Sequence, residues 1–145
     1  MDSDPIRPRF CQVVLDTTDP RGTAEFWRRL LGLVYRRGHE PPPPGVDDPA
    51  GRDWLNLLDP DGRPRLAFQQ VAALASTTWP DDAVPQQLHL DLVVGGVEEL
   101  AAVHERVLAL GGTLRLDRSA DAEEPLYVYA DPAGHPFCVF VAALS

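Results

Sequence analysis

Lysine is absent from the sequence: all 13 basic residues are arginines, and they face 22 acidic residues. The resulting net charge of -9 argues against nucleic acid as a partner, because binding to a phosphate backbone requires concentrated positive charge. Long apolar runs are also lacking, and none approaches the roughly 18 residues that span a bilayer. The acidic start, Met1 to Pro5, does not have the pattern of a secretory signal. We therefore expect a cytoplasmic protein that binds neither nucleic acid nor membranes.

Cysteine is scarce, with Cys11 and Cys138 far apart and neither in a CxxC or zinc-like spacing. A structural disulfide is not expected. With 145 residues, 44% of them apolar, the chain is long enough for one globular domain with its own core, or for two small modules that share one.

The first half of the chain predicts the order β-α-β-β-β. Residues 10–16 alternate as a strand, with Gln12 and Asp16 on the face opposite Cys11. Asp19 and Pro20 are suited to cap and begin a helix, which Gly32 ends. The segment 38–51 contains four consecutive prolines, Pro41 to Pro44, and is therefore predicted to be a loop. The sequence does not decide whether this loop acts as a lid. Further strands are predicted at 33–37, 52–58 and 65–71.

The second half repeats this order after a linker at 72–86. Residues 87–94 alternate, so that Gln87, His89 and Asp91 share one face of a strand and leucines take the other. A helix follows at 96–110, where acidic residues in the first turn favour the helix dipole. Strands are predicted at 113–116, 126–130 and 135–142.

The two halves also agree in register. The shift that places Gln12 on His89 places the helix start at Asp19 on Gly96, and both halves contain an Asp-Pro-x-Gly turn near their ends, at 59–62 and 131–134. We interpret the chain as a tandem repeat, with module one at 10–71 and module two at 87–142.

This duplication, the run from Asp19 to Trp27 and the run from Asp131 to Cys138 resemble the vicinal oxygen chelate superfamily, which includes glyoxalase I, bleomycin-resistance proteins and extradiol dioxygenases. The resemblance implies an α+β fold in which two βαβββ modules form an incomplete barrel around a cavity, with the helices outside. It implies a single glyoxalase-like domain over 8–145, a small-molecule ligand and a homodimer.

Metal-using members of that superfamily take one ligand from the first strand of each module, and these positions match Gln12 and His89. The last-strand position, usually Glu, is matched by Cys138, and its module-one counterpart by Leu66 or Gln69. Hard divalent ions prefer carboxylate and imidazole ligands, and this set offers few of them. We therefore expect no working metal centre; the alternative is Fe, Mn, Ni or Zn held by Gln12 and His89.

Other residues are expected to surround a ligand. Asp16 and Asp91 share strand faces with Gln12 and His89, but two residues along a strand span about 6.6 Å, so a direct approach of Asp91 to a centre at His89 is not expected. Asp91 could instead orient His89 as a general base. Trp54, Phe68 and Gln69 are candidates for the ligand wall, whereas His39, His104 and His135 are interpreted as surface residues.

Two functions stay open at this point. The first is a metal-independent small-molecule binding protein of the glyoxalase and bleomycin-resistance type, with a ligand at Gln12, Asp16, His89, Asp91 and Cys138. The second is an enzyme, a lyase, isomerase or extradiol-type dioxygenase, with His89 as the catalytic residue. The missing carboxylates favour the first, and the pair of Gln12 and His89 favours the second. A purely dimerising module is supported only by the tendency of the fold to pair.

Overall fold

A computed structural model describes residues 4–142, so residues 143–145 of the predicted domain lie outside the described part. Module one contains β1 (Val13–Thr17), α1 (Pro20–Leu31), β2 (Val34–Tyr35), a short 3-10 helix (Ala50–Arg52), β3 (Trp54–Leu58) and β4 (Pro64–Gln70). Module two contains β5 (Leu90–Val94), α2 (Val97–Leu110), β6 (Thr113–Arg118), β7 (Leu126–Ala130) and β8 (Pro136–Val141). The predicted tandem βαβββ order is confirmed.

Each module forms one open, mixed sheet of four strands. The strand orders are β1-β4-β3-β2 and β5-β8-β7-β6, and the β1/β4 and β5/β8 pairs are parallel while the other pairs are antiparallel. The helices pack on one face of the sheets, where one apolar cluster joins both modules. The opposite face, called the open face below, carries most of the predicted site residues. Among residues 4–142, no helix combines the length and apolar character that crossing a bilayer requires.

Helix α1 has the predicted ends. The Asp19 side chain accepts a hydrogen bond from the Gly22 backbone N–H at 3.1 Å, and Gly32 ends the helix at φ 70°, a left-handed conformation that favours glycine. Trp27 is fully buried and Phe26 is 2% exposed, whereas Leu31 at the last turn is 40% exposed.

The two modules are joined by a buried contact between α1 and the turn before β8. The Trp27 indole donates to the Asp131 carboxylate at 2.9 Å, and its ring packs edge-on against Phe137 at 4.9 Å. His135 also contacts Asp131, through Nδ1 at 2.7 Å, and its side chain is 18% exposed. The interpretation of His135 as a free surface residue is therefore wrong, because Asp131 holds it within the turn.

Some strands are shorter than the alternation predicted. The first strand of module two, β5, begins at Leu90, so His89 precedes it. In module one, β1 begins at Val13. The linker has no helical turn at 72–75; instead the Thr77 N–H donates to the Gly134 carbonyl at 2.8 Å and ties the linker to module two. This tie brings the linker to the edge of the open face.

Candidate ligand-binding site

Strand alternation places four of the predicted residues on the open face of module one. Asp16 lies beside Gln69 in the parallel β1/β4 pair, and Gln69 lies beside Trp54 in the antiparallel β3/β4 pair. These three therefore form a row across the sheet. Gln12 has the same parity as Asp16 and reaches the same face just before β1.

Phe68 does not share this face. It is fully buried in the apolar cluster with Ala24 and Trp27 of helix α1. Its neighbour Gln69 points to the open face, and successive strand residues alternate, so both could not contact one ligand from the sheet. The structure contradicts the expected ligand contact of Phe68, which supports the sheet from the helix side.

A directed chain of hydrogen bonds fixes the amide of Gln12. The Trp54 Nε1–H donates to Asn56 Oδ1 at 2.7 Å, and Asn56 Nδ2 donates to Gln12 Oε1 at 3.0 Å. An indole nitrogen can only donate, so the Asn56 atom that faces it must be oxygen. The remaining side-chain atom of Asn56 is then the NH2 group, which donates to the Gln12 oxygen. Gln12 consequently has its NH2 group, a donor, free for a ligand.

His39, in the proline-rich loop, contacts the backbone of β3 at Asn56. Its Nδ1 accepts a hydrogen bond from the Asn56 backbone N–H at 2.9 Å, which requires the neutral ring with its proton on Nε2. Burial and the nearby Arg36 lower the pKa of His39, which favours this neutral form. His39 is half-buried, so its interpretation as a surface residue is wrong.

The proline-rich loop is anchored to helix α1 by Arg21. The guanidinium contacts both carboxylate oxygens of Asp48, at 2.8 and 3.0 Å, and the His39 carbonyl at 2.7 Å. The Asp48 carboxylate raises the pKa of Arg21 above its usual value. Arg21 thus ties two points of the loop, Asp48 and His39, to helix α1.

Module two brings together His89, Asp91 and Cys138. One ligand atom of each lies within 4.8 Å of the others, and His89 Nε2 lies 3.2 Å from Asp91 Oδ1. Asp91 and Cys138 are direct neighbours in the parallel β5/β8 pair. The expectation that Asp91 stays away from a centre at His89 is wrong, because His89 precedes the strand and its ring is not held at the spacing of an extended strand.

Both ring nitrogens of His89 are engaged. Nδ1 lies 3.1 Å from Gln86 Oε1, and the ring stacks on Trp79 with centroids 4.9 Å apart. A neutral imidazole has a single N–H, so it cannot donate both to this oxygen and to Asp91. Either His89 is protonated or the Gln86 amide is turned so that its NH2 donates. His89 can therefore act as a base only if Gln86 or Asp91 gives up its contact with one of the ring nitrogens.

Cys138 is present as a thiol at neutral pH. Burial and the negative charge of Asp91 raise its pKa to about 11. It belongs to an apolar patch on the open face of module two, formed with Leu126 and Val128 and covered by Trp79. Trp79 comes from the linker, and sequence reasoning missed its contact with the site.

The strand registers settle the module-one counterpart of Cys138. Asp91 pairs with Cys138, and Val14, which matches Asp91 in the repeat, pairs with Ala67. The counterpart is therefore Ala67, and both predicted alternatives, Leu66 and Gln69, are wrong by one or two residues. Ala67 offers no side chain to a ligand or metal.

Tyr127 and Tyr129 face α2 on the helix side. His104 of α2 stacks on Tyr127 with centroids 4.0 Å apart, and its Nδ1 lies 2.7 Å from the Tyr129 hydroxyl. Burial raises the pKa of Tyr129 above its usual value. The interpretation of His104 as a surface residue is wrong, because it bonds a tyrosine that is fully buried.

A cavity of about 510 Å³ lies between module one and the linker. Asp16 and Gln69 line it from the sheet, Leu88 from the linker and His135 from the turn before β8. Its volume falls in the range that small-molecule sites occupy. Two of the residues predicted to contact a ligand thus line an open space of suitable size.

The fold and this site define a protein of the vicinal oxygen chelate class. The chain belongs to the glyoxalase-like domain family, whose model matches residues 12–140. No curated protein sequence matches the chain significantly.

Several solved structures share the fold. The fosfomycin resistance protein FosX from Listeria monocytogenes, complexed with Mn(II) and sulfate, has a TM-score of 0.61 at 15% identity, covering 96% of each chain. A glyoxalase/bleomycin resistance protein/dioxygenase family enzyme from Burkholderia phytofirmans has 0.62 at 14%, covering 90% of this chain and 95% of that chain. A glyoxalase-related enzyme from Fulvimarina pelagi has 0.59 at 20%, covering 92% and 88%. At these identities the similarity shows the fold alone.

The expected metal ligands differ in how well they suit an ion. Gln12 is a poor ligand in this structure, because an amide binds metals through oxygen and its Oε1 already accepts from Asn56. Cys138 would have to lose a proton that burial retains. His89 and Asp91 have suitable donor atoms close together. The donor set thus fits a metal at module two better than the predicted pair of Gln12 and His89.

Proposed function

We propose that this protein binds a small organic molecule on its open faces without a resident metal ion. The observation that carries the proposal is the direction of the relay through Trp54, Asn56 and Gln12, which turns a donor toward the ligand. His39 adds a second donor, its Nε2–H. A carbonyl or other acceptor oxygen on the ligand satisfies these groups, and the residues of the 510 Å³ cavity, with Asp16 and Gln69, hold the remainder.

Module two contributes apolar contact area to this proposal. Trp79 and Phe140, which are only partly buried, offer flat apolar surface beside the polar pair of His89 and Asp91. An aromatic or branched apolar group of the ligand packs there. In this function His89 and Asp91 position the ligand through hydrogen bonds and transfer no proton.

The test is a ligand screen by thermal shift on wild type, followed by calorimetry on the variants Gln12→Ala and Gln69→Ala. Removing one hydrogen bond to a ligand should weaken binding by about 1–2 kcal/mol, or roughly five- to thirtyfold. Tyr35→Phe, which removes a hydroxyl that donates to Glu25 of helix α1, is the matched control and should bind like wild type. Ligands whose affinity is unchanged in both open-face variants would refute the proposed location.

A second function is supported by the approach of His89, Asp91 and Cys138. These residues could hold Fe, Mn, Ni or Zn, and imidazole, carboxylate and thiolate together suit zinc. Such a metal would polarise a ligand oxygen in a lyase, isomerase or dioxygenase reaction. Within that function, Asp91 fixes the orientation of the His89 ring.

Elemental analysis of protein purified without chelator separates the two functions. A metal equivalent that is lost in Asp91→Asn and Cys138→Ser but kept in Gln12→Ala would establish the module-two centre. Loss of the metal in Gln12→Ala would instead support a metal site formed by Gln12 and His89. Absence of metal after reconstitution would support the metal-independent function.

We further propose a cytoplasmic homodimer. Both cysteines are free, as is usual for proteins of a reducing compartment. The edge strands β1 and β5 carry exposed apolar side chains at Val14 and Val93, each 42% exposed, which a partner would cover. Light scattering after size exclusion tests the oligomeric state, and a stable monomer at micromolar concentration would contradict it.

A further inference from the structure

A second cavity, of about 960 Å³, lies in the cleft between the modules. It is lined by the segment before β1, by the start of β4 and by the start of β5. Neither Gln12 nor His89 lines it, nor does Cys138. It therefore differs from the candidate site, although Asp91 borders both.

Three arginines line this cavity without a carboxylate partner. Arg9, Arg63 and Arg65 are exposed, and within residues 4–142 no acidic side chain lies within 4.0 Å of their guanidinium groups, whereas four other arginines of the chain are paired. Asp91 is the acidic residue among the described lining residues, and its carboxylate is already in contact with His89. The cavity is thus locally positive in a chain whose net charge is -9. Like charges that converge on one space favour an anion within it.

The rest of the wall is apolar. Val13, Leu31, Leu66, Leu90 and Leu92 line the cavity beside the arginines. Leu31, at the last turn of helix α1, is 40% exposed. Its exposed surface is part of the wall that a ligand would cover.

We propose that this cavity binds an organic anion with an apolar body. The guanidinium groups of Arg9, Arg63 and Arg65 bind the carboxylate or phosphate head, and the leucine wall takes the hydrocarbon. Arginine suits this role because its planar fork donates two hydrogen bonds to one carboxylate or phosphate group. The volume lies at the upper end of the range for small-molecule sites.

Cys11 provides a reporter inside the cavity. It lines the wall and is exposed, whereas Cys138 is buried and its pKa is raised to about 11, so a neutral thiol reagent should modify Cys11 first. The experiment measures the rate of Cys11 modification by N-ethylmaleimide, with peptide mapping, at increasing concentrations of decanoate. Decan-1-ol and inorganic phosphate are tested in parallel.

Decanoate should protect Cys11 in a saturable manner, and decan-1-ol should need at least about tenfold higher concentration, because it lacks the charge that the arginines bind. Equal protection by decan-1-ol would overturn the role of the arginines. Equal protection by inorganic phosphate would overturn the role of the apolar wall. No protection by decanoate would overturn the proposal as a whole.

Variants identify the residues. Arg63→Gln and Arg65→Gln should each weaken protection by decanoate about tenfold, since each removes a charge-assisted hydrogen bond. Arg37→Gln removes the same charge from an exposed position outside the cavity lining. Decanoate should protect Cys11 in this variant as it does in wild type. Gln12→Ala should also leave protection unchanged, which separates this site from the proposed function. An effect of Arg37→Gln equal to those of the two cavity variants would refute a localised site.

Discussion

Replacing Asn56 with aspartate would reverse the hydrogen-bond relay on the open face of module one. Asn56 accepts from the Trp54 indole at 2.7 Å and donates to Gln12 Oε1 at 3.0 Å. An ionised carboxylate still accepts from the indole, but it cannot donate to Gln12. The Gln12 amide must then turn over, so that its NH2 group donates to the new carboxylate and its oxygen faces the ligand space.

The preference for the turned Gln12 amide can be estimated from the contact that the unturned amide would make with the new carboxylate. Two acceptor oxygens held 3.0 Å apart leave a hydrogen bond unmade at a position where Asn56 is 6% exposed. An unsatisfied buried polar group costs about 1–3 kcal/mol, so the turned amide should dominate by roughly 5- to 150-fold. Burial raises the pKa of the introduced carboxyl. Below that pKa its protonated form donates to Gln12 as asparagine does, and the reversal should appear only as the pH rises through it.

Two measurements follow the reversal in Asn56→Asp. The side-chain amide signals of Gln12 in 1H–15N spectra should shift with pH, and Mn²⁺ affinity by calorimetry should rise over the same interval, because the amide oxygen becomes available to an ion. Gln69→Glu is the matched control, since it adds a carboxylate to the same face beside Trp54, at a residue that makes none of the hydrogen bonds of the relay. Amide signals of Gln12 that do not respond to pH, or an equal gain of Mn²⁺ affinity in Gln69→Glu, would refute the assigned direction.

Three further predictions concern packing, titration and the proline-rich loop. Trp27→Phe should lower the free energy of unfolding in urea by at least about 1.5 kcal/mol, because it removes a hydrogen bond to the buried carboxylate of Asp131; an unchanged midpoint would contradict this. Folding raises the pKa of Cys138 from its usual 9.0 to about 11, so the unfolded chain loses this proton at lower pH than the folded chain. The contribution of Cys138 to the free energy of unfolding should therefore fall between pH 9 and 11. A Cys138→Ala variant whose stability has the same pH dependence would contradict this. Arg21→Gln should increase amide exchange in the loop more than Arg52→Gln, whose ion pair is largely exposed; equal exchange would show that Arg21 does not anchor the loop.

The parts of the fold that were predictable are governed by local chemistry. Helix α1 begins after Asp19 and ends at Gly32 as expected, because capping and left-handed backbone depend on a few adjacent residues. Strand β7, Leu126–Ala130, has the predicted ends, and the duplicated order followed from turns that recur in both halves. Strand ends were less predictable, since the pairing of β1 with β4 and of β5 with β8 decides where these strands begin, and the partners lie far along the chain.

The site could be predicted only in part, because its contacts join distant segments. Strand parity placed Gln12 and Asp16 on one face, and the same parity shows that the adjacent Phe68 and Gln69 could not both face the ligand. The relay joins Trp54 and Asn56 of β3 to Gln12 before β1, and neither segment alone reveals it. Trp79 reaches His89 because the linker is tied to the turn before β8, and no local pattern encodes that tie.

The two halves of the duplicated fold present different chemistry at equivalent positions. Module one has the amide of Gln12 and the bare position of Ala67, whereas module two has the imidazole of His89 and the thiol of Cys138 beside an apolar patch. A ligand with the same group at both ends would leave either the Gln12 donor unpaired or the apolar patch against a polar group, and both mismatches cost binding free energy. The proposed ligand is therefore asymmetric, with its acceptor oxygen toward module one and its apolar part toward Trp79.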